Sequence, residues 1–174
     1  MGDSGSERKM RVLHLIINLG ETNGQYNEHC LPLMRERDIS IVTYFVPMLT
    51  PPSEITLFAG DGTFRGFFRA LKNALDATEY DVVHAHAPQT GTLLVLAALA
   101  WRRFSRLRPS LVYTAQDSFH NYKPRNRVMM VVALATFTRI VFCSRSAYES
   151  LPRTLERLVR GRSRVVQNGA DLDR

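Results

Sequence analysis

Seven short apolar runs, at residues 11–19, 39–47, 55–59, 80–87, 109–117, 139–144 and 163–168, alternate with segments of helical patterning. This rhythm constrains the fold more than any other feature of the chain. Runs such as "RVLHLIINL" and "ISIVTYFVP" are too continuously apolar for strands with one wet face, and they fit strands buried on both sides of a parallel sheet. Parallel neighbours need a crossover, which a helix supplies. The spacing therefore predicts an α/β fold: a doubly wound, mainly parallel, Rossmann-like sheet. At 174 residues and 45% hydrophobic content the chain can bury one core and is short for a second.

The clearest helix is "TFRGFFRALKNALDAT", where Phe64, Phe67, Phe68, Leu71, Leu75 and Thr78 recur on one face of a 3.6-residue period. "YNEHCLPLMRER" is a weaker helix, because Pro32 interrupts it unless it lies in a first turn. Pro152 must start or break the last helix, predicted over 145–161.

Cys30 and Cys143 lie far apart in sequence. They form neither a disulfide framework nor a metal spacing, and a reduced, cytoplasmic setting is expected. Residues 1–10 are a polar tail without the apolar core of a signal peptide. The runs "TLLVLAALAW" and "VMMVVALATF" fall short of the about 20 residues a membrane-spanning helix needs. The net charge of +7 is carried mostly by arginine, which suits phosphate, carboxylate or an acidic membrane surface. A solvated basic face is the plain alternative. "WRRFSRLR" is a candidate for anionic lipid, or a helix end whose cations favour the dipole. Nucleic acid is not expected, since no basic run is interleaved with stacking aromatics.

In a doubly wound sheet, ligands bind beyond the carboxyl ends of the strands. After the first strand, "GETNGQYNE" places Gly20 and Gly24 before a helix, where backbone N–H groups can approach a phosphate. A plain tight turn is the other reading. The dinucleotide pattern G-x-G-x-x-G is missing, as is an acidic ribose partner after the second strand. After the fourth strand, His84 and His86 share a strand face. One is expected to pack in the core and His86, nearer the strand end, to reach the cleft. Further ligands are not spaced beside them, so no metal site is expected. After the fifth strand, "TAQDSFHNYKPRN" crowds Gln116, Asp117, His120, Asn121 and Lys123 into one loop, the first choice for substrate contact. Ser144 and Arg145 precede a helix, where Ser144 can cap it or help hold an anion. A catalytic triad order, a nucleophile elbow and a P-loop are all missing.

Five segments carry a resemblance. The opening strand with its glycine loop, "YDVVHAHAP", "LVYTAQD", "RIVFCSRSAYESL" and "SRVVQNGADLDR" occur in order. The chain resembles the N-terminal, acceptor-side domain of the family 4 retaining glycosyltransferases, one half of a GT-B fold. The resemblance implies transfer of a sugar from a nucleotide-diphosphate donor to an acceptor hydroxyl, with no other cofactor and no metal. It implies catalytic roles for His86, Gln116 and Asp117, and substrate contacts from Gly20, Gly24, His120, Asn121, Ser144 and Arg145. Residues 11–167 would form the domain, and 168–174 would begin a hinge, at Asn168 and Gly169, to a donor-binding C-terminal domain that lies outside the chain. A separate partner chain could supply that half instead. The acceptor would be a carbohydrate or a lipid-linked molecule, and the location cytoplasmic, with peripheral contact at the inner membrane surface.

Two departures stand out. The family's Gly-Gly-x-Glu loop is replaced by "GETNGQYNE", leaving Gly24 as the choice for the donor phosphate. The His of Thr-x-His-Asp is Gln116, which can hydrogen-bond a sugar but cannot titrate. Acid–base help from that position is lost, or His86 or His120 supplies it. Two other readings remain: a non-catalytic acceptor-binding subunit of a split two-chain transferase, and an epimerase-like domain on a related fold.

Overall fold

A computed structural model describes residues 8–101 and 109–167. Asn168, Gly169 and most of "WRRFSRLR" therefore lie outside the described residues. The seven predicted strands are present: β1 (Arg11–Ile16), β2 (Asp38–Thr43), β3 (Ile55–Phe58), β4 (Val82–Ala85), β5 (Ser110–Ala115), β6 (Arg139–Phe142) and β7 (Ser163–Val165). They form one sheet in the order β3-β2-β1-β4-β5-β6-β7, and each neighbouring pair is parallel. The expected doubly wound, parallel α/β sheet is the fold observed. Strand order reverses at β1, between β2 and β4, and there the connections diverge and open a crevice at the carboxyl edge.

Among the described residues five α-helices lie in the crossovers from β3 onward: α1 (Phe64–Ala77), α2 (Pro88–Ala100), α3 (Pro124–Thr136), α4 (Arg145–Glu149) and α5 (Arg153–Val159). Helices α2 and α3 each begin with proline, whose fixed φ and missing N–H suit a first helical position. Pro152 divides the predicted last helix into α4 and α5 and occupies the N-cap of α5. The weak helix at 26–37 is shorter than its pattern suggested. A π-helical turn spans Tyr26–Cys30 and gives way to turns that contain Pro32.

The core has two layers. Leu13, Leu15, Val83, Ala85, Tyr113 and Phe142 face α1, α2 and α3 in a large cluster with Phe67, Leu71, Leu94 and Leu134. The opposite sheet face packs Val12, Ile16, Ile39 and Ile41 against Leu19, Tyr26 and Cys30. That second layer covers β1 to β3, while Val112 and Val141 on the same face are only half-buried.

Thr63 caps α1 by accepting from the Gly66 N–H at 2.9 Å. A Cβ at Gly66 would lie 1.9 Å from Asp61 Oδ1, so any larger residue there requires the Asp61 side chain to move. The apolar face of α1 is rotated from the one expected. Gly66, Phe67, Ala70, Leu71, Ala74 and Leu75 are its buried residues, Thr78 is the C-cap, and Phe64 is 64% exposed. Phe64 sits at the first helical position, where its side chain overhangs the carboxyl edge of the sheet instead of entering the core.

Leu71→Ala should therefore cost about 2–5 kcal/mol of unfolding free energy, and Phe64→Ala less than about 1 kcal/mol. Urea unfolding of the two variants checks this; equal losses would contradict the packing assigned to α1.

Candidate functional site

Three constellations gather at or near the carboxyl edge. The first is the loop after β1. Asn23 organises it: its side chain accepts from the Tyr26 N–H at 2.8 Å and donates to the Asn18 carbonyl at 2.9 Å, while its own N–H donates to the Gly20 carbonyl at 3.0 Å. Gly20 and Gly24 are brought together here. With Asn18, Glu21, Gln25 and Met48 they line an open polar cavity of about 550 Å³. Gly24 begins the helical turn, so its amide is among those that have no intrahelical acceptor.

Beside it, between the same strand ends and the helices, lies a second cavity of about 400 Å³. Its wall includes Ile17, Tyr44, Phe45, Phe64, Leu96 and Arg125, an apolar surface with one cation. Phe45, Val46, Met48, Phe64 and Leu96 are exposed around this edge.

The second constellation is the loop after β5. Asp117 Oδ1 accepts from the Ser118 N–H at 2.7 Å and from Asn121 Nδ2 at 2.8 Å, and the Asp117 N–H donates to the Tyr122 hydroxyl at 3.2 Å. Arg127 braces the loop from α3, donating to the carbonyls of Tyr122 and His120, with its guanidinium 5.7 Å from the centre of the Phe119 ring. Gln116, Asp117, His120 and Asn121 are thus on one braced loop, with Asp117, His120 and Asn121 exposed. The Gln116 carbonyl accepts from Cys143 Sγ at 2.9 Å, tying the ends of β5 and β6. Gln116 Nε2 is buried without a hydrogen-bond partner among the described residues, an arrangement that costs about 1–3 kcal/mol unless a partner is found.

Ser144 and Arg145 are already engaged locally. Ser144 Oγ accepts from the Ala147 N–H at 3.0 Å, the helix-capping role, and Arg145 pairs with Glu149 at 2.8 Å in an exposed i,i+4 bridge. Neither is drawn into the loop of Gln116 and Asp117 by any side-chain contact in the described residues.

The third constellation was half visible in the sequence. His84 and His86 do share a face, with ring centres 3.9 Å apart. The expected division between them is reversed: His86 is 1% exposed and His84 is the more open of the two. His86 is turned inward because His14 Nδ1 lies 2.9 Å from its Nε2. Strand pairing sets His14 directly opposite His84, and His29 from the π-helical turn approaches to 5.3 Å of the His86 ring centre. The expectation that no further ligand accompanies the pair is corrected here, since nitrogens of His14, His84 and His86 lie within 4.8 Å of one another. In the sequence His14 is one residue of an apolar strand, and only the parallel register brings it beside His84 and His86.

Burial, reinforced by His29, pushes the His14 imidazole down to about 3. Burial and the neighbouring imidazoles hold His84 and His86 well below the ordinary histidine value. Burial also lowers His29, with the Glu28 carboxylate acting against it.

The family model described as Glycosyltransferase Family 4 matches residues 33–174. The chain belongs to Glycosyltransferase Family 4. Among solved structures, this family 4 chain is similar to a sucrose-phosphate synthase from Thermosynechococcus elongatus, with TM-score 0.61 at 15% identity over 92% of this chain and 90% of that one. A short-chain dehydrogenase/reductase from Veillonella parvula also matches, with TM-score 0.48 at 14% identity over 76% of this chain and 68% of that one. A search of curated proteins gave no match. The first likeness places the sheet of the family 4 chain in the Rossmann-like half of a GT-B fold. Among the described residues no helix is long and apolar enough to cross a membrane.

The histidine cluster gives the family 4 chain a distinctive acid response. Imidazoles that stay neutral when folded, but titrate near 6.5 when unfolded, bind protons only in the unfolded chain. Stability is then fully present above about pH 6.5 and is lost as the pH falls toward His14's value of about 3. The loss should be on the order of 1 kcal/mol per pH unit for each buried imidazole. Urea unfolding of the metal-free chain between pH 7 and pH 5 checks this. Asp61 and Asp81 do not interfere, because backbone and side-chain hydrogen bonds hold both below the ordinary carboxylate value. A flat profile across that window would contradict the burial of the cluster.

Proposed function

We propose that the chain is the acceptor-side half of a retaining glycosyltransferase, which moves a sugar from a nucleotide diphosphate to an acceptor hydroxyl. The observation that carries this reading is the pairing of two cavities at the β1 end, one polar and glycine-bearing, the other apolar. A donor phosphate can be met by backbone amides around Gly24, while Glu21 suits sugar hydroxyls and repels phosphate. The apolar cavity fits the non-sugar part of an amphipathic or lipid-linked acceptor, with Arg125 available for an anionic group.

The transition state is an oxocarbenium-like sugar separating from a diphosphate. Preorganised N–H groups and cations facing that leaving charge lower the barrier more than they favour the ground state. Gln116 contributes a hydrogen bond once its half-buried side chain turns its Nε2, buried and unpartnered among the described residues, toward the substrate, and Asp117, fixed by Ser118 and Asn121, accepts a sugar or acceptor hydroxyl. His86, enclosed by His14, has no access to substrate, so any imidazole contribution falls to the exposed His120. The donor-binding half comes from a C-terminal domain or a separate partner chain. Exposed Phe45, Val46, Met48 and Phe64 offer apolar surface for it to close against, and closure would exclude water that hydrolyses the donor.

In the complete enzyme, the anomeric configuration of the product should match that of the donor, read by proton NMR. Gln116→Ala and Asp117→Ala should each lower kcat/KM by about 10- to 1000-fold while both variants stay folded. Inversion at the anomeric carbon, or full activity in both variants, would overturn the proposal. Hydrolysis or epimerisation of a nucleotide sugar by this chain alone would favour the epimerase-like reading.

A further inference from the structure

Four of the chain's five histidines converge on one sheet face: His14 from β1, His84 and His86 from the end of β4, and His29 from the π-helical turn above them. We propose that His14, His84 and His86 form a binding site for one divalent transition-metal ion of the zinc class, with His29 beside the fourth coordination position.

The geometry is close to what such an ion needs. Tetrahedral zinc with Zn–N bonds of about 2.0–2.1 Å sets its nitrogens about 3.3 Å apart. One nitrogen from each of the three rings lies within 4.8 Å of the other two, so the nitrogens need draw together by no more than about 1.5 Å to reach tetrahedral spacing. The donor set is imidazole only. It suits zinc, cobalt, nickel or copper, and not magnesium or calcium, which require oxygen. Cys30 is buried in the apolar layer nearby but is not among the grouped ligands.

The hydrogen bonding of the three rings is incomplete without an ion. Buried polar atoms are almost always paired. Here His14 Nε2 and His86 Nδ1 are both buried without a partner among the described residues, and the 2.9 Å contact between His14 Nδ1 and His86 Nε2, in which one ring donates to the other, would be exchanged for the ion. His84 Nε2, in contrast, lies 2.7 Å from Thr114 Oγ1. That contact fixes the ring and leaves Nδ1 to coordinate, as hydrogen-bonded supports do for metal-bound histidines.

An ion here would be structural. It would tie β1 and β4, the two strands at the reversal of order, to the turn at Tyr26–Cys30, and so brace the loop of Gly20 and Gly24. The proposal does not depend on glycosyl transfer, because metal binding is read directly.

The test uses the full chain without a polyhistidine tag, stripped with chelator and titrated with Co²⁺ or Zn²⁺. One equivalent of Co²⁺ should give the visible absorption bands of a tetrahedral site, one equivalent of Zn²⁺ should abolish them, and Zn²⁺ should raise Tm. Thr114→Val should weaken affinity about 10- to 100-fold. His29→Ala, at a half-buried position outside the sheet, should alter the bands or weaken binding while the chain stays folded. No bands and no Tm shift in the unmodified chain would overturn the proposal. Unchanged bands in a folded His84→Gln variant would also overturn it, by placing the metal elsewhere.

Discussion

β1 pairs in parallel with both β2 and β4, and the rest of the molecule is arranged around that double pairing. Because chain order runs outward in both directions from β1, the connections leaving β1 and β4 diverge at the carboxyl edge, and the crevice between them is where cavities form. The same pairing sets His14 opposite His84. A slip of β1 by one residue would turn His14 into the layer now filled by Leu13 and Leu15 and part it from His84 and His86. Substrate surface and histidine cluster are therefore two consequences of one register.

The two sides of the sheet are used differently. Helices α1 to α5 bury one face in a large apolar cluster, which fixes the strands firmly. The other face has the smaller layer around Tyr26 and Cys30, and polar side chains enter it: His14, His84, His86 and Thr114. Such a polar insertion in an otherwise apolar sheet costs stability unless its groups are satisfied. The glycine loop that would meet a donor is anchored to this less apolar layer, so what satisfies the histidines also decides how firmly that loop is held.

Much of the fold was legible because a buried parallel sheet leaves a one-dimensional signature. Strand positions, the break at Pro152 and the glycine loop after β1 followed from apolar runs and backbone chemistry. Phe64 was not legible as an exposed residue, since helical periodicity cannot distinguish the last core position from a first-turn aromatic overhanging a cleft. For His86, closeness to a strand end does not give access to the cleft. What closes it off is His14, 72 residues away in sequence, and no local pattern reports that. The loop of Gln116 and Asp117 was found by its density of polar residues, but its bracing by Arg127 and its tie to Cys143 depend on neighbours that only the fold supplies.

The central claim is that substrate engages the carboxyl edge on both sides of β1. Hydrogen–deuterium exchange of the complete enzyme, with and without nucleotide-diphosphate sugar and acceptor, tests it most directly. Protection is expected at residues 18–25, 44–48, 89–96 and 116–129, which line the two cavities and the braced loop. At the opposite, amino edge of the sheet, a cavity of about 260 Å³ is lined by Arg11, Asp38, Glu54 and Tyr80. Protection confined to that edge would contradict the account.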